Sequence, residues 1–224
     1  MNIMTNIKDC PLPFEAVKHL PGQSIGVIAP HPDDEVFGCG CALAEYASRG
    51  CNVEVIVLTD GQLWADTQSS RVAESISAAK VLGYPQPVFW HKTDGGLQND
   101  QCLVDDIAHW LMQCKHDALL IPSPWEKHPD HTSCTEATIN ALNKNNHTVK
   151  QLIFYEVGHP LASCNMLLDT TAWQPLKISA MQCFTSQLSK QNFLSQISGL
   201  NAYRAYSLPM SCYSAEAFYK LDLN

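Results

Sequence analysis

Three short stretches concentrate side chains able to bind a cation and move a proton. His31-Pro32-Asp33-Asp34-Glu35 sets one imidazole beside three carboxylates, Asp94-Gly95 adds another carboxylate, and Trp125-Glu126-Lys127-His128-Pro129-Asp130-His131 adds two imidazoles. Crowded carboxylates cost several kcal/mol unless they are paired or bind a cation. The first stretch therefore suggests a metal, with one residue left over for proton transfer. An acidic first turn of a helix would gain about 0.3–1 kcal/mol from the helix dipole, but that simpler explanation has no need of His31. Two imidazoles and a carboxylate from separate loops match a catalytic zinc site, which uses three protein ligands and keeps a fourth position open. Imidazole donors favour zinc or iron over magnesium.

Such residues meet only if the chain elements bring them together. The segment over 23–30 is short, apolar and rich in β-branched residues, and Pro30 closes it, as expected of a buried parallel strand. Pro32 then biases His31 toward an extended conformation. Helical spacing of apolar residues over 36–49, ended by Gly50, predicts a helix. A strand over 53–59, a helix over 70–82, a strand over 87–90, a helix over 101–114, a strand over 118–122, a helix after Pro129 and a strand over 151–157 continue the alternation. The expected fold is α/β, a Rossmann-like three-layer sandwich. Its sheet is mostly parallel, of about five strands with helices on both faces, within one domain over 1–224. Beyond Gly158 the pattern changes to a loop, an extended piece over 166–169, helices over 173–184 and 191–205, and a tail without clear periodicity. Ligand sites in such sheets lie outside the carboxyl ends of the strands. The three reactive stretches follow the first, third and fourth predicted strands and are expected to share one crevice.

Composition narrows the partner. With 14 Lys and Arg against 22 Asp and Glu, the formal charge of −8 and the absence of basic clusters exclude a general nucleic-acid binder. A small-molecule partner is expected. The first ten residues lack the apolar core of a secretion signal, and no apolar run is long enough to span a bilayer, so a cytoplasmic location is expected. The ten cysteines are scattered through apolar segments and read as reduced core residues, Cys39 and Cys41 included. Gly38-Cys39-Gly40 does not make a dinucleotide loop, because Leu43 stands at the third glycine position and the preceding loop is acidic. The glycine pair is better suited to close helix–sheet packing.

Ala29-Pro30-His31-Pro32-Asp33-Asp34-Glu35 and His128-Pro129-Asp130-His131 resemble the two signature motifs of the PIG-L/LmbE family of sugar de-N-acetylases. Gly38-Cys39-Gly40, Leu58-Thr59-Asp60-Gly61, Arg71 with Glu74, Asp94-Gly95 and Tyr155-Glu156 extend the likeness over most of 24–157. Asn165, Asp169, Lys177, Ser186-Gln187 and Leu200 to Arg204 resemble the family's bacterial branch associated with sugar-conjugate biosynthesis. The resemblance implies that His31, Asp34 and His131 hold Zn2+, with Fe2+ as the other fitting ion. It also implies that Asp33 is the general base, that His128 faces the developing oxyanion, and that Arg71 and Asp94 grip sugar hydroxyls. Asp130 is placed to orient a neighbouring imidazole. Where some members carry a tyrosine beside the oxyanion this chain has Trp125, which has no phenolic proton to give. Tyr155-Glu156 either supports the metal loop or closes a strand. The expected reaction is hydrolysis of the acetamide of an N-acetylglucosamine-type conjugate. A metal-dependent phosphoester hydrolase and a non-catalytic sugar-binding module are the rival readings; the latter would have no need of Asp33.

Overall fold

Aliphatic, β-branched runs without polar interruption must be covered on both faces, and the chain meets that demand with helices above and below a single sheet. The computed structural model describes residues 14–64, 68–144 and 147–223. Its strands are β1 (Glu15–Val17), β2 (Ser24–Ala29), β3 (Asn52–Thr59), β4 (Val88–Lys92), β5 (Ala118–Pro122), β6 (Gln151–Tyr155), β7 (Met166–Asp169) and β8 (Ala215–Asp222), in the order β1-β7-β8-β6-β5-β2-β3-β4. The described helices are α1 (Asp34–Ser48), α2 (Gln68–Leu82), α3 (Gln101–Cys114), α4 (Pro129–Leu142), α5 (Gln174–Met181), the single turn α6 (Thr185–Leu188) and α7 (Phe193–Arg204). Alternate strand residues face opposite layers. Val27, Val55 and Leu120 pack with α1, α2 and α5, whereas Ile28, Ile56 and Leu119 pack with α3 and α4.

The five expected strands pair in parallel. The sheet is larger than expected, because β1, β7 and β8 extend it past β6, with β8 antiparallel to both β6 and β7. The tail that reads as patternless is thus a strand of eight residues. Ala215, Glu216, Lys220 and Asp222 are weak strand formers, and pairing on both sides overrides that local preference. The carboxyl-terminal extension is therefore part helix and part sheet.

Helix α1 also departs from the expected continuous helix, since Cys39 (φ −134°, ψ 29°) breaks it. A break exposes backbone N–H groups. The Glu216 carboxylate accepts from those of Cys41 and Ala42, both at 2.9 Å. Lys177 balances its charge at 2.7 Å, with both side chains buried. The glycines around the break are small for steric reasons. A Cβ on Gly38 would stand 2.4 Å from the Tyr155 ring and one on Gly40 3.2 Å from Lys177 Cγ. Tyr155 is fixed in turn by donating its hydroxyl to the Ile28 carbonyl of β2 at 2.9 Å.

The chain leaves β2 toward β3 and β4 on one side and returns to place β5 and β6 on the other. The carboxyl ends of β2 and β5 therefore flank a topological switch point, the usual crevice of such sheets. All nine cysteines among the described residues are free thiols. No described helix is long and apolar enough to cross a membrane. The first ten residues, read above for a secretion signal, lie outside the described residues.

Candidate active site

His31 comes from the turn between β2 and α1, Asp34 is the first residue of α1, and His131 sits in the first turn of α4, two positions beyond Pro129 at the helix start. The local sequence builds both turns. Pro129 at the first helical position is preorganised for a helix start, and the His128 side chain caps that helix by accepting the Asp130 N–H at Nδ1, 3.2 Å away. At α1 the preceding residue, Asp33, has φ 140° and makes no side-chain cap. A non-glycine residue in that region is strained, and such strain gathers at functional sites.

Three donor atoms converge at the switch point. Asp34 Oδ2 lies 3.1 Å from His31 Nδ1 and 3.1 Å from His131 Nε2, and the two nitrogens are 3.3 Å apart. Two ligands held at about 2.0–2.1 Å by one tetrahedral ion are separated by about 3.3–3.4 Å, so the trio fits a single zinc-sized ion. Each imidazole is backed by carboxylate. His31 Nε2 meets Asp130 Oδ2 at 3.0 Å and Asp94 Oδ1 at 3.2 Å. His131 Nδ1 stands 3.3 Å from Glu126 Oε2, at ion-pair distance without a linear hydrogen bond. Carboxylates behind metal-binding imidazoles fix the tautomer and raise ligand basicity. These carboxylates are themselves held by backbone N–H groups: Asp130 by Gly95 and Leu97, Asp94 by Leu63, and Glu126 by Val157, Gly158 and His159.

The electrostatics ask for positive charge. Burial opposes a charged His31, but Asp130, Asp34 and Asp94 outweigh it and raise its pKa well above the ordinary value. His131 is likewise disfavoured by burial yet lifted to about 9, chiefly by Asp34. Burial pushes the Asp34 carboxyl up, and the two imidazoles more than reverse this and hold it well below the ordinary range. A cluster that retains protons so firmly is one that a cation can fill.

Asp33 has its own partner, and its carboxyl still feels the charges of Asp34 and His31. Its Oδ2 accepts from Arg71 Nη2 at 2.8 Å, and Arg71 also bonds the carbonyls of Pro32 and Gly61, each at 3.2 Å. Gly61, at φ 65°, makes room for this, since a Cβ there would stand 2.4 Å from the guanidinium. Burial pushes Asp33 up to about 6, against the pull of Arg71. Glu35 accepts the Asp33 N–H at 2.9 Å and the Ser75 hydroxyl at 2.6 Å, which ties the strained residue down from below.

Arg71 and Asp94, expected at the sugar, are thus both turned inward: each is buried, Arg71 on Asp33 and Asp94 behind His31. His128 stays exposed beside the trio, its ring centroid 4.7 Å from that of His31 and 5.1 Å from that of His131. One of its nitrogens lies within 4.8 Å of a ligating nitrogen of each of the other two imidazoles. Trp125 is exposed and meets Tyr219 edge to face at 6.2 Å. The placement of Glu126, Glu35 and Ser75 was not readable in the sequence. Only the position of Glu126 in the loop two residues before His128 hinted at it.

A model of the GlcNAc-PI de-N-acetylase family, PIG-L, matches residues 26–142, more than half of the 224-residue chain. Over 147 residues the chain is 29% identical to the uncharacterized deacetylase YaiS of Escherichia coli K12, covering 60% of this chain and 74% of that protein. It is 25% identical over 201 residues to the diacetylchitobiose deacetylase of Thermococcus kodakarensis, covering 78% of this chain and 72% of the relative. Among solved structures, the conserved protein TT1542 of Thermus thermophilus superposes with a TM-score of 0.82 at 25% identity, over 90% of this chain and 96% of its own.

Proposed function

Because this chain belongs to the PIG-L family, we propose that it hydrolyses the acetamide of an N-acetylated amino-sugar conjugate, releasing acetate and a free amine, with a metal held by His31, Asp34 and His131. The observation that carries this reading is the convergence of three donor atoms at 3.1–3.3 Å beside a separately held carboxylate, Asp33. Relatives named as deacetylases, one acting on diacetylchitobiose, support the substrate class. The chemistry a zinc ion supplies at such a site is Lewis-acid activation of water and of an acyl carbonyl.

The chain's own residues supply the rest. Arg71 holds Asp33 Oδ2, so the other oxygen is the one that takes the proton of the attacking water. The water oxygen bonds to the acetyl carbon, the C–N bond breaks, and Asp33 returns the proton to the departing nitrogen. His128 accepts the Asp130 N–H at Nδ1, so its neutral ring carries the proton on Nε2. Burial and the neighbouring imidazoles hold its pKa below the ordinary value, which keeps that form. The exposed Nε2–H is then a donor for the developing oxyanion.

Arg71 enters this reading through Asp33. Its positive charge opposes the upward pull of burial on that carboxyl, and the base works only when deprotonated. Removing the charge raises the Asp33 pKa, so the acidic limb of the kcat/KM profile should move to higher pH in Arg71→Met and less in Arg71→Lys. A variant that raises KM with an unmoved limb would instead return Arg71 to the sugar-gripping role.

The reading is tested by assaying the zinc-loaded protein on a panel of N-acetylglucosamine conjugates for acetate and free amine, beside phosphoesters. Metal-dependent acetate release is expected. No acetate above the metal-free control, with turnover of a phosphoester, overturns the reading in favour of a phosphoester hydrolase.

A further inference from the structure

A second group of metal-binding side chains lies at the other end of the sheet. Glu54 stands near the start of β3, Cys114 ends α3, and His116 lies two residues before β5. Since β3 and β5 run parallel on either side of β2, their amino ends are opposite the crevice. One ligand atom of each residue lies within 4.8 Å of the other two.

The surroundings hold these groups without using their ligating atoms. Glu54 Oε1 accepts the Trp110 indole N–H at 3.0 Å, which leaves Oε2 turned to His116 Nε2 at 3.4 Å. His116 is fully buried and its Nδ1 pairs with the Ser24 hydroxyl at 3.3 Å, yet its buried Nε2 has no hydrogen-bond partner. An orphaned buried nitrogen is costly and needs an explanation. The 3.4 Å gap between Oε2 and Nε2 is about the spacing that two ligands of one tetrahedral ion require. Lys115, which ends α3 in the left-handed conformation (φ 51°), turns the chain between Cys114 and His116. Gly26 in β2 makes space, because a Cβ there would stand 2.7 Å from the Trp110 ring and 2.8 Å from the His116 ring.

We propose that Glu54, Cys114 and His116 form a second metal site, for a zinc-class divalent cation, distinct from the crevice. A thiol, an imidazole and a single carboxylate are the donors of zinc-class ions and not of magnesium or calcium. Binding displaces the thiol proton to solvent. The thiolate and the carboxylate then neutralise the ion's two charges while the imidazole stays neutral, so the site adds no net charge to the protein interior. Without an ion the thiol keeps its proton, held up to about 12 by burial and by Glu54. The location suits a tie between strand, helix and loop better than a step in the crevice.

Cobalt(II) tests this independently of any activity, because the crevice trio contains no sulfur and only a thiolate gives a sulfur-to-cobalt charge-transfer band. The expected result is two cobalt ions per chain with that band in the wild type. Cys114→Ser should retain one ion and lose the band, and Glu54→Gln should lose second-site cobalt and the band in proportion. His116→Gln should lose the band too, and if that buried replacement fails to fold, Cys114→Ser still decides. Asp34→Ala should retain one ion and the whole band. A wild type without the band, or a band that survives Cys114→Ser, overturns the proposal, and neither result bears on deacetylation.

Discussion

Replacing Asp34 by Ala should empty the crevice of metal and abolish turnover, whereas replacing Asp33 by Asn should leave the metal bound and remove turnover alone. The two aspartates are neighbours in the chain and opposites in the structure. Asp34 Oδ2 is the atom common to both short contacts with His31 and His131, and without it two imidazoles remain with no carboxylate between them. Asp33 touches neither imidazole among its hydrogen bonds and is held by Arg71. Asparagine still accepts from that guanidinium, so the pocket keeps its shape and loses only its proton acceptor, a loss of roughly 10²–10⁴-fold in kcat. Elemental analysis beside kcat reads both effects, and a thermal melt shows whether the buried Arg71 charge, left facing a neutral partner, destabilises the fold. Near-normal turnover in Asp33→Asn would remove Asp33 from the role of base. Metal retained when Asp34→Ala is combined with Cys114→Ser, so that no ion at the second site is counted, would shift the crevice binding set to the three imidazoles.

Substituting His128 by Ser should lower kcat by roughly 10²–10³-fold at unchanged metal content, the range seen when one oxyanion donor is removed. Serine is chosen because His128 has a second duty. It caps α4 through Nδ1, and an alanine would lose about 0.5–2 kcal/mol of helix stability along with the donor. Serine restores the cap, so a fall in kcat then reports the Nε2–H alone. A rise in KM with kcat preserved makes His128 a substrate-binding residue. A fall in metal content makes it a ligand, since its nitrogen lies within 4.8 Å of those of His31 and His131.

Glu126 shows how far local pattern reaches. The sequence places a carboxylate two residues before His128, and nothing in that spacing says that it folds under His131 while three backbone N–H groups from the loop after β6 hold it. Asp94 and Arg71 show the same limit in the other direction. Their residue types suit a sugar hydroxyl, but the turn at Gly61 and the loop after β4 direct them to Asp33 and His31.

The sequence by itself determined the alternating α/β rhythm from β2 to β6, the crevice at its carboxyl ends and the two motifs that line it. Those properties are local: a strand buried on both faces must be a continuous apolar run, and a turn after it presents whatever polar residues follow. Only the tertiary structure decided that the tail completes the sheet as β8, that α1 breaks at Cys39 with Glu216 and Lys177 filling the gap, and which imidazole each carboxylate backs. Those outcomes join residues up to 175 positions apart. Their physical reason is pairing: a weak strand former becomes a strand when ladders flank it, and a buried charge is tolerated only beside its partner, neither of which a window along the chain contains.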